Sequence, residues 1–238
     1  MKLGPRYKPR GGGCVLFRIS TILMLACPIL ASCVVSRDIP TAKCTAPEES
    51  PYECVAIDAS DTPYVAIETD FGTMVFELWP DVAYIHCQSF IYLTESGFYD
   101  SLTIHRVVPG FVIQGGDPNG NGTGGPSYTL PLETSNRPHI EGTLSMARAQ
   151  DPNSAGSQFF ICLSRLPALD GRYTVFGHLK DGYDVLHAIE HVSVTNERPD
   201  NPVYIKRMYL LHESEQLRLT LGRCGKGKTV EQEPIREG

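Results

Sequence analysis

Between positions 105 and 117 the chain reads His105-Arg106-Val107-Val108-Pro109-Gly110-Phe111-Val112-Ile113-Gln114-Gly115-Gly116-Asp117, and further on it reads Gly156-Ser157-Gln158-Phe159-Phe160-Ile161. These stretches set one guanidinium and two amides among aromatic and aliphatic side chains. An arginine stays charged and presents a rigid fork of N–H donors. Held beside an apolar slot, such a fork can donate to an acceptor that forms only as a bound group distorts, which lowers a barrier without any nucleophile. Residues for other chemistries are missing or misplaced. Neither His-Glu-x-x-His nor Gly-x-Ser-x-Gly occurs, and the seven His are scattered. The run Gly120-Asn121-Gly122-Thr123-Gly124-Gly125 lacks the Lys-Ser/Thr and the helix of a phosphate-binding loop, and reads as a turn. Metal and nucleotide cofactors are not implied.

The elements that must position these residues are mostly short strands. Tyr64–Glu68 and Thr73–Leu78 are β-type runs joined as a hairpin through Thr69-Asp70-Phe71-Gly72. Further runs fall at Ile104–Val108, Val112–Gln114, Gly142–Met146, Phe159–Leu163, Thr174–His178 and Val203–Leu211. Asp81 is placed to cap a helix reaching Ser96, with Cys87, Phe90, Ile91 and Thr94 as its inward stripe and Gly97 as its stop. A second helix follows Asp181-Gly182, with Val185, Leu186 and Ile189 on the buried face. Many short strands with two helices predict a mainly β fold, a closed eight-stranded antiparallel barrel capped by the helices, since closure leaves no sheet edge exposed.

Together with Leu144-Ser145-Met146-Ala147-Arg148, Leu169-Asp170-Gly171 and Tyr173-Thr174-Val175-Phe176-Gly177, the two opening stretches make five ordered blocks. In this the chain resembles the cyclophilin family of peptidyl-prolyl cis-trans isomerases, over about residues 62–212. The resemblance implies the same barrel and a reaction at X-Pro bonds. Rotation about that bond costs about 18–20 kcal/mol because it destroys amide resonance. In the family, the Arg of the His-Arg-Val motif points at the prolyl nitrogen, so the resemblance makes Arg106 the donor and Gln114 the residue that hydrogen-bonds and holds it. Phe111, Phe160 and Leu169 match the proline pocket, with Val112 where many members have Met. Ala147, Arg148 and Gln158 match the groove for an extended peptide backbone. His105 joins this substrate-binding set as a neighbour of Arg106, not as a base, since isomerisation removes no proton. Three departures stand out. Ala168 replaces the Trp typical of members that bind cyclosporin tightly, Tyr173 replaces a His common in animal members, and Arg148 replaces an Asn. These resemble bacterial members and bear on cyclosporin, not on isomerisation. The alternative reading is a binding module that holds a partner's proline loop, with catalysis incidental.

The N-terminus reads as a targeting signal: Lys2, Arg6, Lys8, Arg10 and Arg18 precede an apolar run from Ile19 to Ala31, too short to span a bilayer. Leu30-Ala31-Ser32-Cys33 looks like a bacterial lipobox, which makes Cys33 the lipid attachment site and residues 1–32 a cleaved signal; the alternatives are a plain secretory signal or an uncleaved anchor, with Cys27 as a second lipid candidate. Residues 33–61, with Pro40, Pro47 and Pro51, read as a tether, and 213–238 as a polar extension. In 238 residues there are 21 Lys and Arg against 27 Asp and Glu; removing five basic residues with the signal leaves 16 against 27, a formal charge of −11. That balance excludes nucleic acid as a partner held by charge, and leaves the lipid as the membrane attachment. The expected setting is the periplasm or cell envelope. The expected partners are proline-containing peptides and folding exported proteins, and the expected state is a monomer. Of the cysteines beyond the signal and Cys33, Cys87 and Cys162 fall in core patterns, while Cys44, Cys54 and Cys224 are disulfide candidates with either Cys44–Cys54 or a link to Cys224 open.

Overall fold

The computed structural model describes residues 51–55, 57–58 and 62–211. The expected lipid site Cys33, the signal, Cys44, Cys224 and the polar extension lie outside the described residues. Pro51–Cys54 forms a short 3-10 turn, and its Tyr52 is buried with its ring 4.9 Å from that of Tyr128. Gln88 Nε2 donates to the Val55 carbonyl at 2.8 Å. Within the segment read as a tether, Tyr52, Val55 and Ile57 therefore lie against the body. These three apolar residues carry no periodicity, but each finds the core.

The hairpin forms as expected from β1 (Tyr64–Thr69) and β2 (Gly72–Leu78), with Gly72 at φ 131°, a conformation a side chain would resist. Helix α1 covers Tyr84–Glu95. Cys87, Phe90, Ile91 and Thr94 are buried as the spacing predicts. Asp81 does not cap it. Its N-cap position is Ala83, which makes no side-chain bond, and the free N–H groups of Ile85 and His86 donate instead to the Glu133 carboxylate at 3.1 and 2.9 Å. A carboxylate from elsewhere in the chain thus serves the helix N-terminus, where backbone N–H groups and the helix dipole both favour negative charge. Gly97, at φ 70°, ends the helix.

The remaining strands are β3 (Thr103–Ile104), β4 (Arg106–Val108), β5 (Val112–Gly115), β6 (Thr143–Met146), β7 (Phe159–Cys162) and β8 (Val175–Asp181). Helix α2 (Tyr183–Glu190) follows, with Val185, Leu186 and Ile189 buried. Then come β9 (Val194–Thr195), β10 (Arg198–Pro199) and β11 (Val203–Leu210). One antiparallel nine-stranded sheet runs β3-β11-β1-β2-β8-β6-β7-β5-β4. Its two end strands are neighbours in sequence, separated by His105 alone. The run expected as one strand, Ile104–Val108, is thus divided where the chain passes from pairing with β11 to pairing with β5. That division accounts for nine strands where eight were expected, and it leaves the barrel nearly closed. The short β9–β10 hairpin was not foreseen. Inside the barrel, Phe90 from α1 packs against Tyr99, Phe159 and Phe176 with ring centroids 5.2, 5.6 and 5.0 Å away. Cys87 and Cys162 are buried free thiols; burial pushes the Cys162 thiol up to about 12, so it acts as a small apolar group.

Candidate active site

Alternation along β7 decides which aromatic faces where. Phe159 and Ile161 point into the main core, while Phe160 and Cys162 join Val112 in a second apolar cluster, against which Phe111, Ala147, Leu166, Leu169 and Tyr173 pack. A cavity of about 210 Å³ opens here, lined by Arg106, Phe111, Val112, Gln114, Ala147, Arg148, Phe160, Leu169 and Tyr173. The fold thus gathers nine of the residues singled out from the sequence around one cleft.

Its floor is Phe160, which meets Tyr173 edge to face at 5.7 Å and lies stacked on His139, centroids 5.9 Å apart and planes 14° from parallel. His139 is buried and fixed at both ring nitrogens, Nδ1 to Asp170 Oδ1 and Nε2 to Ser145 Oγ, each at 3.1 Å. Ser145 Oγ also donates to the Thr174 carbonyl at 2.9 Å. Asp170 further accepts from the His139 backbone N–H and is paired with Arg165. Burial lowers the His139 pKa against the pull of Asp170, so the ring is neutral at neutral pH. The Arg165 bond, and after it the His139 N–H, hold the Asp170 carboxyl well below the usual carboxylate range. The same Asp170 closes the 3-10 turn Pro167–Leu169 that delivers Leu169 to the cavity. Ala168 on that turn is exposed, leaving the rim open where the family's Trp would stand.

The opposite wall is Arg106, on β4 directly across from Gln114 on β5. Gln114 does not hold it. Gln114 Nε2 donates to Gln158 Oε1 at 3.0 Å, and Gln158 Nε2 donates to the Gly124 carbonyl at 2.8 Å, so the two amides brace the loop that follows Asp117. Arg106 Nε donates instead to Glu197 Oε2 at 2.7 Å, and its guanidinium lies 5.9 Å from the centroid of Phe111. Nε carries the one hydrogen bond of this side chain among the described residues, which leaves the terminal nitrogens for a ligand. Phe111 is itself pinned: Gly110 donates from its N–H to Glu190 Oε1 at 2.8 Å and accepts from Ser164 Oγ at 2.6 Å.

Two residues of the expected set lie elsewhere. Gln158 lines an adjoining cavity of about 350 Å³, which shares Gln114, Ala147 and Arg148 with the first. His105 does not reach the cleft. Its side chain is buried beside Asp117 and Arg198 around a third cavity of about 300 Å³, because neighbours along an extended chain project to opposite sides and Arg106 takes the cleft. Arg148 bounds the first two cavities, stacked 4.8 Å from the Tyr173 centroid and donating to the carbonyls of Ala149, Gln150 and Arg172. The glycine-rich run after Asp117 is a turn, as expected; the Asp117 carboxylate accepts from the backbone N–H groups of Asn119, Asn121, Gly122 and Gly124. Glu197, His139 and Asp170 had no assigned part in the site.

The structure is thus a nearly closed antiparallel barrel with an apolar cleft beside the Arg106 guanidinium. The chain belongs to the cyclophilin-type peptidyl-prolyl cis-trans isomerases: the family described as "Cyclophilin type peptidyl-prolyl cis-trans isomerase/CLD" matches residues 64–210. It is 50% identical over 115 residues, 48% of this chain and 79% of the relative, to a peptidyl-prolyl cis-trans isomerase of Synechococcus elongatus. It is 45% identical over 138 residues, 57% of this chain and 95% of the relative, to peptidyl-prolyl cis-trans isomerase B of Bacillus subtilis. A cyclophilin-type isomerase from Cryptosporidium parvum superposes with TM-score 0.62 and 36% identity, covering 64% of this chain and 99% of its own. The structure of that protein in the presence of the dipeptide Ala-Pro gives TM-score 0.61 at 37% identity, covering 63% and 99%.

Proposed function

We propose that this isomerase accelerates the folding of exported proteins at their X-Pro bonds, with Arg106 donating to the prolyl nitrogen as the amide twists. The observation that carries this reading is the placement of Arg106 on the same cavity as Phe111 and Phe160, with its one hydrogen bond among the described residues made by Nε. The Ala-Pro dipeptide used with the Cryptosporidium parvum relative supports a proline peptide as the ligand class. In the planar ground state the amide nitrogen shares its lone pair with the carbonyl and accepts poorly. As the bond rotates the nitrogen becomes pyramidal and basic, so a donor aimed at it binds the transition state better than either ground state. Acceleration by five decades needs about 7 kcal/mol of such preference. A charge-assisted hydrogen bond contributes about 1.5–3 kcal/mol of that, and a cleft that fixes the ring supplies orientation for the rest.

Residues 1–32 act in this reading as a lipoprotein signal, Cys33 carries the lipid, and the following segment joins it to a monomeric body that works in the periplasm or cell envelope. The lipobox-like Leu30-Ala31-Ser32-Cys33 supports it.

The test is isomerisation of a proline tetrapeptide by the full chain and by Arg106→Ala. Loss of one preorganised donor predicts a fall of about 100-fold in kcat, with KM within about twofold; equal turnover in both proteins would overturn the donor role. Metabolic labelling with a tagged fatty acid tests the anchor: label on the wild type and none on Cys33→Ser supports it, and no label on either removes it.

A further inference from the structure

Glu197 sits where a glycine would be more comfortable. The β9–β10 pairing, Thr195 to Arg198 and Val194 to Pro199, leaves Asn196 and Glu197 as a two-residue turn, with φ of 52° and 65°. Both are in the left-handed region that this kind of hairpin requires, and the second position favours Gly because it has no Cβ to clash. Asn tolerates such a conformation; Glu does so at a steric cost. Glu197 is nevertheless fastened at two points to the strand that bears Arg106. Its carbonyl accepts from Val107 N–H at 2.7 Å, and its carboxylate accepts from Arg106 Nε at 2.7 Å.

We propose that Glu197 is the positioning residue of this isomerase, a clamp that orients the Arg106 fork toward the prolyl nitrogen, in the place the family resemblance assigns to Gln114. A carboxylate on Nε fixes the plane of the guanidinium and restricts its torsions while leaving both terminal nitrogens to point at the cavity. The Arg106 bond, and then its charge, hold the Glu197 carboxyl below the ordinary carboxylate range, so the clamp is ionised at neutral pH. A backbone conformation unfavourable for its residue, retained at the edge of an active site, is the pattern expected where a side chain is kept for its chemistry. The assignment rests on Arg106 being the donor.

Glu197→Gly separates this role from a structural one. The substitution relieves the turn and removes the clamp, so the full chain melts no lower than the wild type while kcat falls roughly fivefold, the scale of an exposed ion pair, with KM unchanged. Glu197→Gln, which keeps the shape and loses the charge, falls in the same direction. Combined with Arg106→Ala, neither substitution lowers the rate further. A Glu197→Gly protein that is folded and turns over like the wild type, while Arg106→Ala is slow, would overturn the clamp alone. A fully active Arg106→Ala would overturn the donor reading beneath it. A loss in Glu197→Gly that persists undiminished in the Arg106→Ala background would also overturn the clamp, because its effect would not pass through Arg106.

Discussion

On one side of the proline cavity Phe160 lies on His139, whose ring is held by Asp170 and Ser145 and is wholly buried. On the other side Arg106 is held by Glu197, with 33% and 53% of the two side chains exposed. In the proposed reaction the first wall presents an unchanging shape to a ring bound in both cis and trans peptides, and close packing with satisfied polar groups supplies that rigidity. In the same proposal the second presents charge to an atom that becomes an acceptor only midway through the reaction. A charge left partly in water avoids the desolvation that a buried ion pair would suffer, at the cost of weaker restraint. Affinity and turnover are thereby assigned, in this proposal, to different walls, and each can be attacked alone.

The largest effect on stability falls on the floor. Phe160→Ala removes a buried ring from a cluster that includes Val112 and Cys162, which predicts a loss of about 3 kcal/mol in chemical denaturation and a raised KM for proline peptides. A variant of normal KM would break the division of labour, because it would mean that the floor does not hold the ring. Acid gives a smaller effect. Burial lowers the pKa of both His139 and His105, so the unfolded chain takes up protons that the folded one refuses. Stability is therefore full above the ordinary histidine value of about 6.5 and declines as pH falls below it. Melting temperatures between pH 7 and 5 should show this decline equally in the wild type and in Glu197→Gly, since the Glu197 carboxylate stays ionised over that range. A decline confined to the wild type would join the two walls that the structure keeps apart.

How much of this was legible in the sequence differs between the walls in the same way. The β runs and the inward stripe of α1 follow from local alternation and stand where expected, while Phe111, Phe160 and Leu169, given by the family resemblance, line one cavity. What eluded the sequence was partnership across long separations. Glu133 lies 47 residues from the His86 N–H it serves, and Glu197 lies 91 residues from Arg106; no periodicity connects such pairs. The β9–β10 hairpin was missed because each of its strands has two residues, one of them Pro199, and neither alternates. The family resemblance gives Gln114 the clamp, and Gln114 does face Arg106 across the β4–β5 pair, but its amide turns to Gln158 instead. His105 and Arg106 are adjacent in sequence and on opposite sides of the strand, which a motif quoted as a unit conceals.

The most direct test of the division between the walls is the cis-trans exchange rate of a proline peptide on the enzyme at saturation, measured by exchange NMR for wild type and Arg106→Ala, with the dissociation constant obtained from the same titration. The structure predicts that exchange on the variant slows by about 100-fold while the dissociation constant stays within about twofold. Undiminished exchange with weakened binding would contradict it, and would make Arg106 a part of the binding surface and not the group that favours the twisted amide.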